Sequence, residues 1–489
     1  MPYTKHYLVL QMNTLINAID NEQNYTVTEN GAATLKSTLK YTVDFFGLGG
    51  ALRQRSDEDV ISLFSKAFAE DPLVAVKTLF YLRDIRGGQG ERKTFRTCLK
   101  WLAVEYPQVV VKNVNNIIEF GRWDDLFSLR NTQLWKTLAL PMFHNEWFKA
   151  GKPSLMWKWI ASENTSSKET RQIATEIRNF IGVSPRTYRK TISEKRAQLD
   201  VVERKMCSKN WDKISYKGVP SKAALNYKDA FTKHDNARYV QYVADVKAGK
   251  TTINAGTLYP YDIVEKCLNY DESSTLDVLW DALPNYMEGD TSNGIVVADV
   301  SGSMSGRPMA VSISLAIYIA ERNNGQFKNR FITFSEKPTL DKVHGNNIRE
   351  KVINLSQAEW GMSTNLESVF DLILNTAKQH NVPASELPSK VYIVSDMEFN
   401  AACKNQNSTL FETIDASYKS AGYERPELVF WNVNARNTQT PVRFDERGTC
   451  LVSGCSPAIL TSLLSGKIST PEQIMFNTIN VDRYNSVFV

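Results

Sequence analysis

The sequence predicts a multidomain protein, an all-α helical-repeat module followed by an α/β domain with a doubly wound, Rossmann-like parallel sheet. Three observations carry that prediction. Helical periodicity runs from about residue 35 to 290, apolar strands alternate with helices after it, and the charge balance changes sign near residue 262. At 489 residues, 42% hydrophobic and 23% charged, the chain is too long for one core and has the composition of a soluble globular protein. The boundaries read as an N-terminal extension over 1–34, the helical module over 35–287 and the α/β domain over 288–489.

Asp57 stands before Val60, Ile61, Leu63, Phe64, Ala67 and Phe68, the spacing of one buried helical face, and reads as the N-cap of that helix. Pro72 opens a second helix through Val76, Leu79, Phe80 and Leu82, because its fixed φ suits a first helical turn. Further helices are predicted near 93–103, 109–119, 155–161 and 169–181. Short connections between amphipathic helices imply stacked pairs, an α-solenoid or irregular bundle, with no exact repeat period. An acidic run over 261–290 and the linker-like EGDTSNG at 288–294 mark the domain boundary.

Beyond it, GIVVAD is a strand, the run from Pro308 to Asn323 a helix, and NRFITFS a second strand. A helix near 366–379, the strand KVYIVSD, a helix near 410–420, the strands ELVFWNV and TCLVSG and the helix PAILTSLL follow. Uninterrupted apolar strands are buried on both faces, which requires helices above and below a parallel sheet. Ligands of such sheets sit at the carboxyl ends of the strands.

Composition narrows the function. No apolar run reaches the ~18 residues of a membrane span, and the N-terminus lacks a secretory signal. Six scattered cysteines without a C-x-x-C pair, beside five histidines, argue against structural zinc and a disulfide framework and suit a reducing cytoplasm. Residues 151–260 carry 21 Lys and Arg against 10 Asp and Glu, although the whole chain is only +5. A basic excess confined to one segment suggests a polyanionic partner.

The stretch VVADVSGSMSG, residues 296–306, ends an apolar strand with Asp299, Ser301 and Ser303. A serine-hydrolase elbow needs glycines two residues either side of the nucleophile, and neither serine has them. A phosphoaspartyl transferase wants a second aspartate where Ser301 stands. What remains is a divalent cation such as Mg²⁺, held by hard oxygen ligands. Thr364, in a loop before a helix, and Asp396, at the end of a later strand, supply further oxygens. Aspartate, serine, serine, threonine and aspartate arriving on three loops resemble the metal-ion-dependent adhesion site of von Willebrand factor A domains. That resemblance covers residue 290 onward in motif and strand–helix order. It implies that the hydroxyls bind the metal directly, the aspartates often through water, and that an open position accepts a partner's carboxylate. The family usually has glycine after the last aspartate; here DMEFN brings in Glu398, an acid able to fill the open position internally.

In the helical half, RDIRGGQGER at 83–92 is not a phosphate loop, because Arg92 stands where that motif needs glycine before the lysine. It reads either as a glycine turn with solvated arginines or as a polyanion contact. Together with FGRWDDLFSL at 120–129, the basic segment 184–235 and INAGTLYPYDIV at 253–264, it resembles the helical module of the TROVE family of Ro ribonucleoproteins, most closely its DUF2828 branch. The resemblance spans some 400 residues in the family's domain order. It implies a ring of HEAT-like repeats closed by the A domain, with small noncoding or single-stranded RNA on a basic surface. The matching residues are Arg83, Arg86, Arg92, Arg122, Arg186, Arg189, Lys190, Lys195, Arg196, Arg204 and Lys205, whose charges neutralise phosphates without reading sequence. Tyr188, Trp211, Tyr216 and Tyr227 are interleaved aromatics able to stack on bases.

The expectation is therefore a monomeric, cytoplasmic, non-catalytic RNA-binding protein with a Mg²⁺-binding A domain. The alternative is a metal-dependent protein-interaction scaffold that binds no RNA.

Overall fold

The computed structural model describes residues 23–199, 201–335, 337–358, 364–401, 409–463 and 468–489. Residues 1–22 of the N-terminal extension, part of the loop before Thr364, and Cys403 lie outside them. A hairpin of β1 (Tyr25–Val27) and β2 (Ala33–Leu35) comes first. A run of short helices then fills Tyr41–Asp281, most of them packed on helices near in sequence, while the last of them, such as Pro260–Leu268, pack on the six-stranded sheet domain with flanking helices that follows.

Local chemistry sets the helix ends. Ser56, not Asp57, caps helix Asp57–Glu70, its side chain accepting from Asp59 N at 3.1 Å, and Asp71 caps Pro72–Arg83 in the same way. Lys93–Glu105 and Lys168–Ile181 match expectation. The helix predicted over 109–119 breaks into Pro107–Lys112 and Val114–Phe120, where Asn113 Nδ2 donates to the Val109 carbonyl at 2.8 Å and competes with the helix. Near 155–161 only Met156–Trp159 is helical, because the Arg196 guanidinium takes the carbonyls of Trp157 and Ile160.

The sheet contains β3 (Gly294–Ala298), β4 (Arg330–Thr333), β5 (Leu340–Lys342), β6 (Lys390–Ser395), β7 (Glu427–Asn432) and β8 (Thr449–Ser453), in the order β5-β4-β3-β6-β7-β8. All pairs are parallel except β4–β5, whose edge strand LDK is too short and polar to show in the sequence. Helix Arg307–Arg322 is buried around most of its circumference because it lies between the sheet and helix Pro260–Leu268.

The helical segment starts and ends on this domain. At its beginning Gly50 N donates to Ser453 Oγ at 2.9 Å beside β8. At its end Trp280 Nε1 donates to Glu321 at 2.8 Å, and Ile348 N to Asp277 at 2.9 Å. The two ends also touch each other: Gly90, at φ +62°, lies so close to Tyr259 that a Cβ would sit 2.1 Å from the phenol oxygen. The β1–β2 hairpin crosses to the α/β domain, where Leu35 and Thr440 exchange backbone bonds of 3.0 and 2.9 Å. No helix among the described residues is long and apolar enough to cross a membrane.

Asp44 in helix Tyr41–Leu48 is buried, and burial pushes its carboxyl up to about 6, against the bonds from Ser37 and Thr38 that favour the charged form. Because the folded state holds this proton more tightly than the unfolded state, Asp44's contribution is complete below about pH 4 and declines as pH rises to about 6. Relative to wild type, Asp44→Asn should gain roughly 1–3 kcal/mol between pH 4 and pH 8, read from urea unfolding at both pH values.

Candidate metal centre and nucleic-acid interface

Strand order reverses between β3 and β6, and the crevice beyond their carboxyl ends is where such sheets bind ligands. Asp299 follows β3 and Asp396 follows β6, with Asp299 N bonded to the Val394 carbonyl at 2.9 Å. The buried Asp299 accepts from Ser301 N at 2.9 Å and from the Ser395 hydroxyl at 2.7 Å. Ser301 and Ser303 hydroxyls stand 3.0 Å apart, and Ser303 is near enough to Asp396 to favour its charged form. Thr364 is buried just before helix Leu366–His380, and its carbonyl accepts from Asn400 N at 3.0 Å, which joins its loop to the one carrying Asp396.

Among the described residues no Lys or Arg is ion-paired with Asp299 or Asp396, although the charge of Arg436 acts on Asp396. Asp396 Oδ1 accepts from Glu398 N at 3.2 Å, while its buried Oδ2 has no hydrogen-bond partner among the described residues. Burial raises the pKa of both aspartates, and for Asp396 the charge of Asp299 adds to it. Among the described residues no three His, Cys, Asp or Glu side chains cluster as metal ligands, so a cation here would depend on the hydroxyls as well as the two carboxylates. That donor set fits a hard divalent ion. Ser395 went unnoticed in the sequence because a lone serine before the final aspartate reads as strand.

Glu398 does not enter the cradle. Its carboxylate accepts instead from Glu29 N, Asn437 Nδ2 and Gln439 Nε2 at 2.7, 2.9 and 2.9 Å, so the acid that the sequence makes able to fill the open position is engaged elsewhere.

The structure divides the eleven predicted RNA-binding residues. Arg83 is removed from the set: it is 1% exposed and paired with the equally buried Asp125 at 2.8 Å. Arg196 is removed too, since its guanidinium bonds three backbone carbonyls and the Ser162 hydroxyl, and burial lowers its pKa. Lys195 lies half-buried over the Trp157 ring, and Lys205 is half-buried. Arg86 is 52% exposed beside Glu119. Arg186, Arg189 and Lys190 form an exposed strip on helix Pro185–Gln198, joined by Arg204, which donates to Ser193 at 3.3 Å. Arg189 and Lys190 make only partly exposed ion pairs, with Glu163 and Glu194 at 3.0 and 3.8 Å, of the kind that contribute little stability.

Arg92 and Arg122 belong to a charge-imbalanced cluster. Asp124 and Asp125 take bonds from Arg83, Arg96 and Arg122, while the Arg92 side chain is exposed and has no hydrogen bond or ion pair among the described residues. Burial and the neighbouring charge of Arg96 lower the pKa of Arg92. Arg122 stacks 4.0 Å from the Trp159 ring, so the 156–162 turn lies between this cluster and the basic helix. Of the aromatics, Tyr188 is buried face to face with Trp147 and Tyr216 is buried against Phe231, so neither is open to a base. Trp211 is half-buried against His234, and Tyr227 bonds Glu203 at 3.3 Å.

These features define a two-module protein whose helical segment closes on an α/β domain carrying a carboxylate and hydroxyl cradle at its switch point. The chain belongs to the DUF2828 family, described as a domain of unknown function, whose model matches residues 28–138 and 127–288; a second such model, DUF7788, matches 293–485. It is 30% identical over 512 residues to "Uncharacterized protein L728" of Acanthamoeba polyphaga mimivirus, covering 95% of this chain and 89% of that one. Among solved structures it is similar to the Deinococcus radiodurans RO (RSR) protein, with TM-score 0.40 and 13% identity, over 91% of this chain and all of that one.

Arg83→Gln should destabilise the chain by about 3–5 kcal/mol, because it strips a partner from a fully buried carboxylate. Arg92→Gln, which breaks no bond and relieves like-charge repulsion, should leave the denaturation midpoint unchanged or raise it. Parallel urea melts of the two variants check the contrast.

Proposed function

We propose that this chain binds small noncoding or single-stranded RNA through the basic face of its helical segment and catalyses no reaction. The observation that carries this reading is the set of cations left over once structural roles are assigned: Arg186, Arg189, Lys190 and Arg204 around one exposed helix face, with the Arg92 side chain unpaired among the described residues across the 156–162 turn. Such groups neutralise phosphates, and Arg is suited to them by its planar fork. A non-catalytic role is supported by the mutual bond of Ser301 and Ser303, which offers oxygen donors and no activated nucleophile.

Mg²⁺ or another divalent cation is proposed at Asp299, Ser301, Ser303, Thr364 and Asp396. When bound, it supplies the positive charge that brings two buried carboxylates together and braces three loops. The chain's own part is to hold those oxygens at the ends of β3 and β6.

Filter binding of a single-stranded oligoribonucleotide across a salt series tests the RNA reading. Affinity should fall linearly on a log–log plot. Changing Arg186, Arg189, Lys190 and Arg204 together to Glu should weaken binding and flatten the slope by about 2–3, given roughly 0.7 for each phosphate that the variant no longer neutralises. Salt-independent binding, or full affinity in the variant, sinks it.

A metal-dependent protein-interaction scaffold is favoured by one observation: Glu398 is turned away while Ser303 is exposed, which leaves the cradle open to a partner's carboxylate. On that reading a protein partner is captured, released by EDTA and lost on Asp299→Ala, and no RNA copurifies.

A further inference from the structure

Glu398 is a buried carboxylate, 1% exposed, whose three donors among the described residues are all neutral, a backbone amide and two side-chain amides. Burying a carboxylate without a cation in contact is costly, and the arrangement persists only if every oxygen is well bonded. Its donors come from distant parts of the chain, Glu29 in the β1–β2 hairpin and Asn437 and Gln439 in the loop after β7.

The segment around it is laced on both sides. Towards the hairpin, Thr28 Oγ1 donates to the Phe399 carbonyl at 2.6 Å, Asn30 Nδ2 to the Glu398 carbonyl at 2.6 Å, and Ala401 N to the Asn30 carbonyl at 3.2 Å. Towards the cradle, Glu398 N donates to Asp396 and Asn400 N to the Thr364 carbonyl. Between them Met397 sits at φ +66°, a left-handed conformation that a side-chain-bearing residue keeps only when its surroundings enforce it. Two of the five cradle residues, on different loops, are thus set by a segment that is itself held by the N-terminal hairpin.

We propose that Glu398 is a positioning residue for the cation site and that the β1–β2 hairpin is the strap through which it acts. The inference rests on the metal reading of the cradle. Glu398 touches none of the proposed ligating oxygens with its carboxylate; it fixes the path of residues 396–400, and with it the directions from which Asp396 and Thr364 approach.

The experiment is Mn²⁺ titration of the full chain, followed by electron paramagnetic resonance of the free ion, with amide hydrogen exchange as a second readout. Glu398→Ala should weaken Mn²⁺ about 10–100-fold, the range for residues that orient metal ligands. It should also deprotect the amides of residues 398–401. Glu398→Gln should recover most of the affinity, since its oxygen still accepts from Glu29 N and Asn437 can turn its amide to meet the new NH₂. Thr28→Val, confined to the hairpin, should weaken Mn²⁺ in the same direction and serves if Glu398→Ala does not fold. Wild-type affinity in folded Glu398→Ala or Thr28→Val overturns the strap while leaving the metal site intact. A wild-type chain that binds no Mn²⁺ overturns the metal reading and the strap with it.

Discussion

Closure of the chain depends on one buried carboxylate. Asp84 is fully enclosed at the end of helix Pro72–Arg83, where burial would raise its pKa; the bidentate Arg483, the Arg86 amide and the Gly87 amide outweigh that and hold it low. The Tyr484 hydroxyl adds a bond at 3.1 Å. A carboxylate in that position is tolerable only with such compensation, so the C-terminal tail must return to the start of the helical segment. The return fixes the glycine turn over 84–91, whose amides at Gln89, Gly90 and Glu91 bond the carbonyls of Tyr81, Asp84 and Leu82. That turn places Gly90 against Tyr259 and so brings the two ends of the helical segment together.

The same turn decides the fates of the arginines around it. Arg83 leaves the helix pointing into the fold, where Asp125 meets it, while Arg92, at the start of the next helix, stays outside with no carboxylate left to pair with. Nothing in RDIRGGQGER distinguishes these two side chains locally. The difference arises from Asp125, forty-two residues after Arg83, and a single sequence read for pattern does not reveal such a partner. The same holds for Arg196, which looks like its solvated neighbours in the helix yet is spent on the carbonyls of the 156–160 turn.

Elements written as long periodic runs were legible: helix Asp57–Glu70, helix Lys168–Ile181 and the strands β3, β6, β7 and β8 lie where apolar spacing puts them. Elements that exist through distant pairing were not. The β1–β2 hairpin is held by residues 398–401 and 440, and the edge strand β5 is defined only by pairing with β4. The carboxylate and hydroxyl cradle is local in the sequence, each residue standing near the end of a strand or the start of a helix. Glu398 was legible as an acid but not as a strap, since its role is set by residues 29, 437 and 439.

Both candidate sites store charge that the fold leaves unbalanced, and of opposite sign. On the α/β domain two buried carboxylates lie among serine hydroxyls, and one carboxylate oxygen has no hydrogen-bond partner among the described residues. On the helical segment the arginines outnumber the aspartates they bond, and the surplus one is flanked by its own kind. Each imbalance costs folding stability and would be removed by a single substitution, Asp396 to a neutral residue or Arg92 to an uncharged one. A chain shaped by stability alone has no reason to keep either. The proposed cation and RNA readings account for both, since a ligand of opposite charge would complete each group. The buried carboxylates Asp84 and Glu398, by contrast, have both oxygens hydrogen-bonded.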